Sequence, residues 1–156
     1  MKRTRETSEK NDKMNAHRIK LLVLAIGALA SLGLFADGRT LWVDCSGAAE
    51  TPDGSEAAPY ATIQSAVDAA AEGDTVKVRP GVYDTDEIAG PGETRARVVI
   101  DKALTVESTD GKDATFILGR KGTASDGAVR CLVICNGAAA VVKGFTLADG
   151  HASGRN

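Results

Sequence analysis

Apolar residues follow three rhythms along this chain. From Leu21 to Ala36 they run without a charge through LLVLAIGALASLGLFA, preceded by Arg18 and Lys20 and followed at once by Asp37. In TIQSAVDAAAEG the rhythm becomes helical: Ile63, Ala66, Val67 and Ala70 fall at i, i+3, i+4 and i+7, with Gln64, Ser65, Asp68 and Glu72 facing elsewhere. That spacing predicts one short amphipathic helix, with Thr62 as its N-cap and Gly73 as its stop, where a residue without Cβ turns left-handed at little cost. From Asp74 onward the period is two. Val76 and Val78 alternate with Thr75, Lys77 and Arg79, and Pro80-Gly81 breaks the run before Val82-Tyr83. Val98 with Ile100, Leu104 with Val106, Phe116-Ile117-Leu118, Leu132 with Ile134, Ala140 with Val142, and Phe145 with Leu147 continue the pattern. Bends at Asp101-Lys102, Thr109-Asp110-Gly111, Asn136-Gly137 and Gly144 separate them. An earlier apolar piece, Leu41-Trp42-Val43, reads as a strand leading into a polar loop over Ser46–Ala58.

Strands this short, joined by bends rather than matched hairpins, suit a solenoid better than a sandwich. Each coil of a parallel β-helix turns through about three short strands, and the next coil stacks about 4.8 Å away with like residues aligned. Taking Val78, Val106 and Val142 as equivalent positions gives spacings of 28 and 36 residues, within the solenoid range. Ile88–Thr94, with Gly90-Pro91-Gly92, and Gly119–Val129, with Gly122, Ser125, Asp126 and Gly127, read as inserted loops. The first coil of such a fold exposes an apolar floor, which the helix is expected to cover.

The run APYATIQSAVDAAAEGDTVKVRPGVY (residues 58–83), then IDKALTVES and AVVKGFTLADG, resembles the opening of right-handed parallel β-helix proteins of the pectin-lyase-like superfamily. The resemblance spans residues 41–150. It implies an all-β solenoid, a right-handed parallel β-helix with an N-terminal capping α-helix, truncated at its C-terminal end. For activity it is unspecific, because the same opening precedes polysaccharide lyases, glycoside hydrolases and adhesins.

The N-terminal apolar run falls short of about twenty apolar residues, the length of a spanning helix, and has the layout of a cleaved secretory signal, with an uncleaved membrane anchor as the alternative. Small residues at Ala28 and Ala30 offer one cleavage site, and Leu34 with Ala36 a second that starts the mature chain at Asp37. Met14 is an alternative start that shortens the basic region. The expected organisation is a signal peptide over 1–36, a leading strand, loop and helix over 37–74, and incomplete coils over 75–156. Ending just past Leu147, the coils are expected to need downstream coils or a partner chain over their open edge.

Composition sharpens this picture at three points. Only six residues are Phe, Trp or Tyr, so the core rests on Val, Ile, Leu and Ala. Residues 1–20 carry seven Lys/Arg against three Asp/Glu, leaving twelve against eighteen beyond, and an acidic body without a basic stripe argues against a nucleic-acid partner. Of three cysteines, Cys131 and Cys135 are four residues apart, about 13 Å along a strand, beyond disulfide reach. Cys45, Cys131 and Cys135 are therefore expected as apolar fillers rather than bridges or metal ligands.

Candidate chemistry is sparse. No catalytic residue and no cofactor is expected in this segment. His151, alone in a Gly/Ser-rich tail, has no nucleophile or carboxylate arranged around it. Asp84, Asp86 and Glu87 are weak candidates for Ca²⁺, a hard cation that takes several carboxylate oxygens, but lack the spacing of a calcium loop. Lyases of the resembled superfamily combine Ca²⁺ carboxylates with an Arg or Lys base, for which Arg79, Arg97, Arg130 and Lys143 are available. A hydrolase needs paired carboxylates, for which Asp101 and Glu107 are the candidates. Trp42 and Tyr83 are expected in capping or core packing before sugar stacking. The expectation is a secreted or surface β-helix segment that binds carbohydrate or adheres, its partner an extracellular polysaccharide or cell-surface component, with membrane contact only through the signal segment. The alternative is the N-terminal part of a polysaccharide lyase or glycoside hydrolase whose active site lies downstream.

Overall fold

A computed structural model describes residues 38–47, 49–92, 94–122 and 127–151; the signal segment and its cleavage sites, Ser125, Asp126 and residues 152–156 lie outside the described residues. In chain order the elements are β1 (Thr40–Val43), α1 (Ile63–Ala69), β2 (Thr75–Val78), β3 (Gly81–Tyr83), β4 (Ile88–Ala89), β5 (Arg95–Ile100), β6 (Thr105–Ser108), β7 (Thr115–Leu118), β8 (Arg130–Ile134), β9 (Val141–Lys143) and β10 (Thr146–Ala148). Among the described residues no helix is long and apolar enough to cross a membrane.

The strands form three walls. The first orders β1-β2-β6-β9, the second β10-β7-β3 and the third β4-β5-β8. Every pairing between successive turns is parallel, and together they make a β-solenoid of about three turns. The period-two pattern dictates this, because each strand sends one set of side chains inward and the parallel register stacks like positions. Leu41, Val76, Val106 and Val142 form one inner column, Tyr83, Ile117 and Leu147 a second, and Val98 with Leu132 and Ile100 with Ile134 line the third wall. Ser108 breaks the apolar column above Val78. Its hydroxyl pairs with that of fully buried Thr115 at 2.7 Å and accepts from the Gly111 amide at 3.0 Å.

The register corrects one spacing. Val106 stacks on Val76, not on Val78, so the turns are 30 and 36 residues long. A shift of two residues keeps every side chain on the same face, so alternation alone does not separate the two alignments. Of the two insertions, Ile88–Thr94 is more than a loop. Its first residues, β4, pair antiparallel with Arg95 and Ala96 before the chain rejoins the parallel wall. The second closes on an antiparallel bridge between Arg120 and Val129.

The helix is shorter than its periodicity suggests. Thr62 caps it, its hydroxyl accepting from the Ser65 amide at 3.2 Å, but the chain turns extended at Ala70 rather than stopping at Gly73. The terminal carbonyls are taken by cations instead. Lys102 Nζ donates to the Val67 and Ala70 carbonyls at 3.1 Å each, and Arg39 Nη2 to that of Ala69 at 2.7 Å. Gly73, at φ +87°, bends the next stretch so that its amide reaches the Ala103 carbonyl.

A second correction concerns Gln64, which is buried and not turned to solvent. Its amide accepts from the Val99 N–H at 2.8 Å and donates to the Val99 carbonyl at 3.3 Å. Gln64 thus gives β5 the pairing that a neighbouring strand would give, beside the residues β4 already pairs. The outer edge of β1 is likewise occupied: Trp42 N–H donates to the Gly54 carbonyl, Tyr60 N–H to that of Trp42, and Asp44 N–H to that of Tyr60.

Candidate binding face

Outward positions of the first wall fall into register just as the inner ones do. Trp42, Lys77, Glu107 and Lys143 occupy equivalent places on β1, β2, β6 and β9. At about 4.8 Å per strand they make a row about 14 Å long, parallel to the solenoid axis. Lys143 Nζ lies 2.7 Å from one Glu107 oxygen and Lys77 Nζ 4.0 Å from the other. Trp42 is half-buried on this outer face rather than in the core or a cap, with Lys77 Nζ 5.5 Å and Arg79 Cζ 5.6 Å from its ring centroid. Three hydroxyl residues, Thr40, Thr75 and Thr105, flank the row in matching register, and Val141 continues their column.

Arg79 anchors the rim. Its guanidinium meets the Asp44 carboxylate at 3.1 Å and donates to the Glu56 carbonyl at 3.1 Å. The Ser46 hydroxyl and amide, together with Arg79, hold the Asp44 carboxyl below the usual carboxylate range against the effect of burial. Each acid on this face is engaged by a cation, which leaves a surface of fixed donors and acceptors beside one aromatic edge. Such a surface suits hydroxyl-rich ligands better than a strongly charged polymer. Glu107 has lysines as its ion partners, whereas Asp101 lies exposed in the turn after β5, on a different element.

The acidic candidates sit elsewhere, at the corner between the second and third walls. Asp84, Asp86 and Glu87 follow β3. Glu87 bridges two arginines, with Arg95 at 2.6 Å and Arg120 at 2.9 Å, and Arg95 before Arg120 draws its pKa down. Asp86 contributes its carbonyl, which accepts from Arg97 Nη1 at 2.6 Å. Arg97 is itself buried and also donates to the Leu118 carbonyl at 2.8 Å, tying this link to the next turn. Among the described residues no group of three or more His, Cys, Asp or Glu side chains is placed to hold a metal ion. Between Thr62, Tyr83, Thr85, Asp86 and Arg97 lies a cavity of about 10 Å³, the space of a single water.

The remaining candidates disperse. Tyr83 lies in the core, its hydroxyl donating to the Arg79 carbonyl at 2.9 Å and burial raising its pKa well above the ordinary phenol value. Arg130 opens β8, and His151 is exposed beyond β10. Cys131 is buried, Cys135 half-buried and Cys45 exposed, all three as free thiols. The Trp42–Lys143 row was hidden in the sequence because its members are 30 to 36 residues apart and meet only through the register.

Comparison with known proteins adds one finding. The model of a family described as "Protein of unknown function (DUF1565)" matches residues 45–152, which include α1 and every strand after β1. No curated protein and no solved structure matches the chain.

Proposed function

This chain belongs to the DUF1565 family, and from that footing we propose that it is an exported or surface β-helix module that binds carbohydrate. The binding face is the outer surface of β1, β2, β6 and β9, and the role is recognition or adhesion to an extracellular polysaccharide or cell-surface component. One observation carries the reading: an aromatic ring and paired charges stand in a single straight row on the broadest wall. A linear polymer lying along the axis would meet the edge of Trp42 and then alternating donors and acceptors from Lys77, Glu107 and Lys143. The apolar segment Leu21–Ala36 supports export.

Titration calorimetry against a panel of neutral and uronate polysaccharides tests this. Trp42→Ala and the double change Lys77→Ala with Lys143→Ala are each expected to weaken binding about tenfold or more, or about 1.4 kcal/mol. Failure to bind any polysaccharide, or an affinity unchanged from the parent in both variants, would discard the proposal. On this face Glu107 beside Lys143, like Asp44 beside Arg79, sets a carboxylate against a candidate base, which favours the lyase or hydrolase as the second reading. Release of new chain ends from the same panel, lost in Glu107→Gln, would replace binding by catalysis.

A further inference from the structure

Arg97 and Asp74 are the charged side chains buried among the described residues, and only one of them has an opposite charge at hand. Asp74 lies 3.5 Å from the Arg39 guanidinium. Arg97, 8 % exposed, forms no ion pair among the described residues, and Glu87 at the same corner is held by Arg95 and Arg120. The Arg97 Nε and Nη1 donate to the neutral carbonyls of Leu118 and Asp86, and its Nη2 makes no hydrogen bond among the described residues. An arginine is almost never buried without a counter-charge, because the hydration it gives up is costly to replace.

The link that Arg97 makes does not require a charge. Arg97 falls between the register pairs Ala96–Arg130 and Val98–Leu132, so Cys131 occupies its place one turn on. Leu118 and Ala148 are likewise register partners. The neutral thiol of Cys131 donates to the Ala148 carbonyl at 3.1 Å, repeating the link from Arg97 to Leu118. The guanidinium therefore brings a charge beyond what the fold uses at this position. Its surroundings fit an anion. No buried side-chain nitrogen is left without a partner, so Nη2 opens on accessible space, and the space that Arg97 lines is the cavity of about 10 Å³ beside Thr62 and Thr85. The Thr85 hydroxyl makes no hydrogen bond among the described residues, and that of Thr62 can donate inward while Ser65 Oγ donates to it. Ile63 and Val98 supply apolar wall. A monatomic anion needs little more room than a water molecule, and Thr85, exposed at the rim, can yield it.

We infer that Arg97, with the hydroxyls of Thr85 and Thr62, forms a binding site for a small monovalent anion of the chloride class, at the corner between the second and third walls. The site shares no residue with the face proposed for carbohydrate, so the two readings stand or fall separately. The test melts the full chain at fixed ionic strength while sodium gluconate, whose anion is too large for the cavity, is replaced by sodium chloride or bromide. A ligand of the folded state alone stabilises it by an amount that grows with the logarithm of concentration above Kd. The melting temperature is therefore expected to climb with chloride and with bromide. Thr85→Val, at an exposed position, should fold as the parent does and raise the chloride Kd about tenfold. Arg97→Gln removes the charge and should abolish the dependence. Anomalous scattering from bromide in crystals of the unaltered chain keeps the test independent of how that variant folds, and should place an ion beside Arg97. Asp86 also lines the cavity, and its carboxylate is the rival counter-charge. In Asp86→Asn the chloride response should persist at least as strongly as in the parent. A parent indifferent to chloride, with dependence arising only in Asp86→Asn, would assign the role to Asp86 and overturn the proposal. So would a response unchanged in Thr85→Val and Arg97→Gln, or bromide found only at other places.

Discussion

Asp74 shows how one side chain holds the start of the solenoid together. It is 5 % exposed, and burial alone would raise its pKa, but the Ala71 amide at 2.9 Å, the Arg39 amide at 2.7 Å and the Arg39 charge outweigh that effect. The net shift is downward, so the folded state favours the ionised form. A depressed carboxylate contributes stability above its unfolded pKa, about 3.9, and loses it as pH falls through the lower folded value. Urea midpoints measured from pH 6 down to pH 2 should therefore drop below about pH 4, and Asp74→Asn should flatten that drop while lowering stability at neutral pH. Gln64 is the contrasting residue. Its burial was not legible in the sequence, because polarity assigns an amide to solvent and the backbone it serves, Val99, is 35 residues away. Inward residues such as Val76, Val98 and Val106 were legible, since alternation alone names them, whereas the unbroken run Phe116-Ile117-Leu118 does not mark Ile117 as the inward one.

Among the elements, α1 depends most on its surroundings. Seven residues are too few for a helix to persist alone in water. It is held by Ile63, Ala66 and Val67 against β1, β2 and β5, and by the cations at its C-terminal carbonyls. Its covering role at the first turn is open to a direct check. Val67→Asp places a carboxylate at a site 1 % exposed, and the melting temperature should fall by about 10 °C or more. An unchanged melting temperature would mean that the solenoid does not rely on the helix. The element's existence was readable from its period of 3.6; its end was not, because Lys102 and Arg39 close it from elsewhere in the chain. The same limit applied to register, where a two-residue slip leaves the face pattern intact. It also hid β4, a strand of two residues between Gly and Asp-rich segments.

On the scale of the whole molecule, winding was legible because short strands, bends and a period of two all agree on it. The site was much less so, since its residues come together only through stacking. Turn length is the feature with the widest reach. Successive turns of 30 and 36 residues share one straight inner wall. Two corners absorb the six-residue difference, four residues between β6 and β7 and two between β8 and β9. The longest excursions, equal in length in both turns, leave at the third, where Arg97 and Glu87 fasten them. That corner works like a port: foreign sequence spliced at Pro91-Gly92 should ride outside the wall, leaving thermal unfolding within a few degrees of the parent. Lineages can then acquire new surface decoration by lengthening one excursion at a time while the scaffold beneath goes on unaltered.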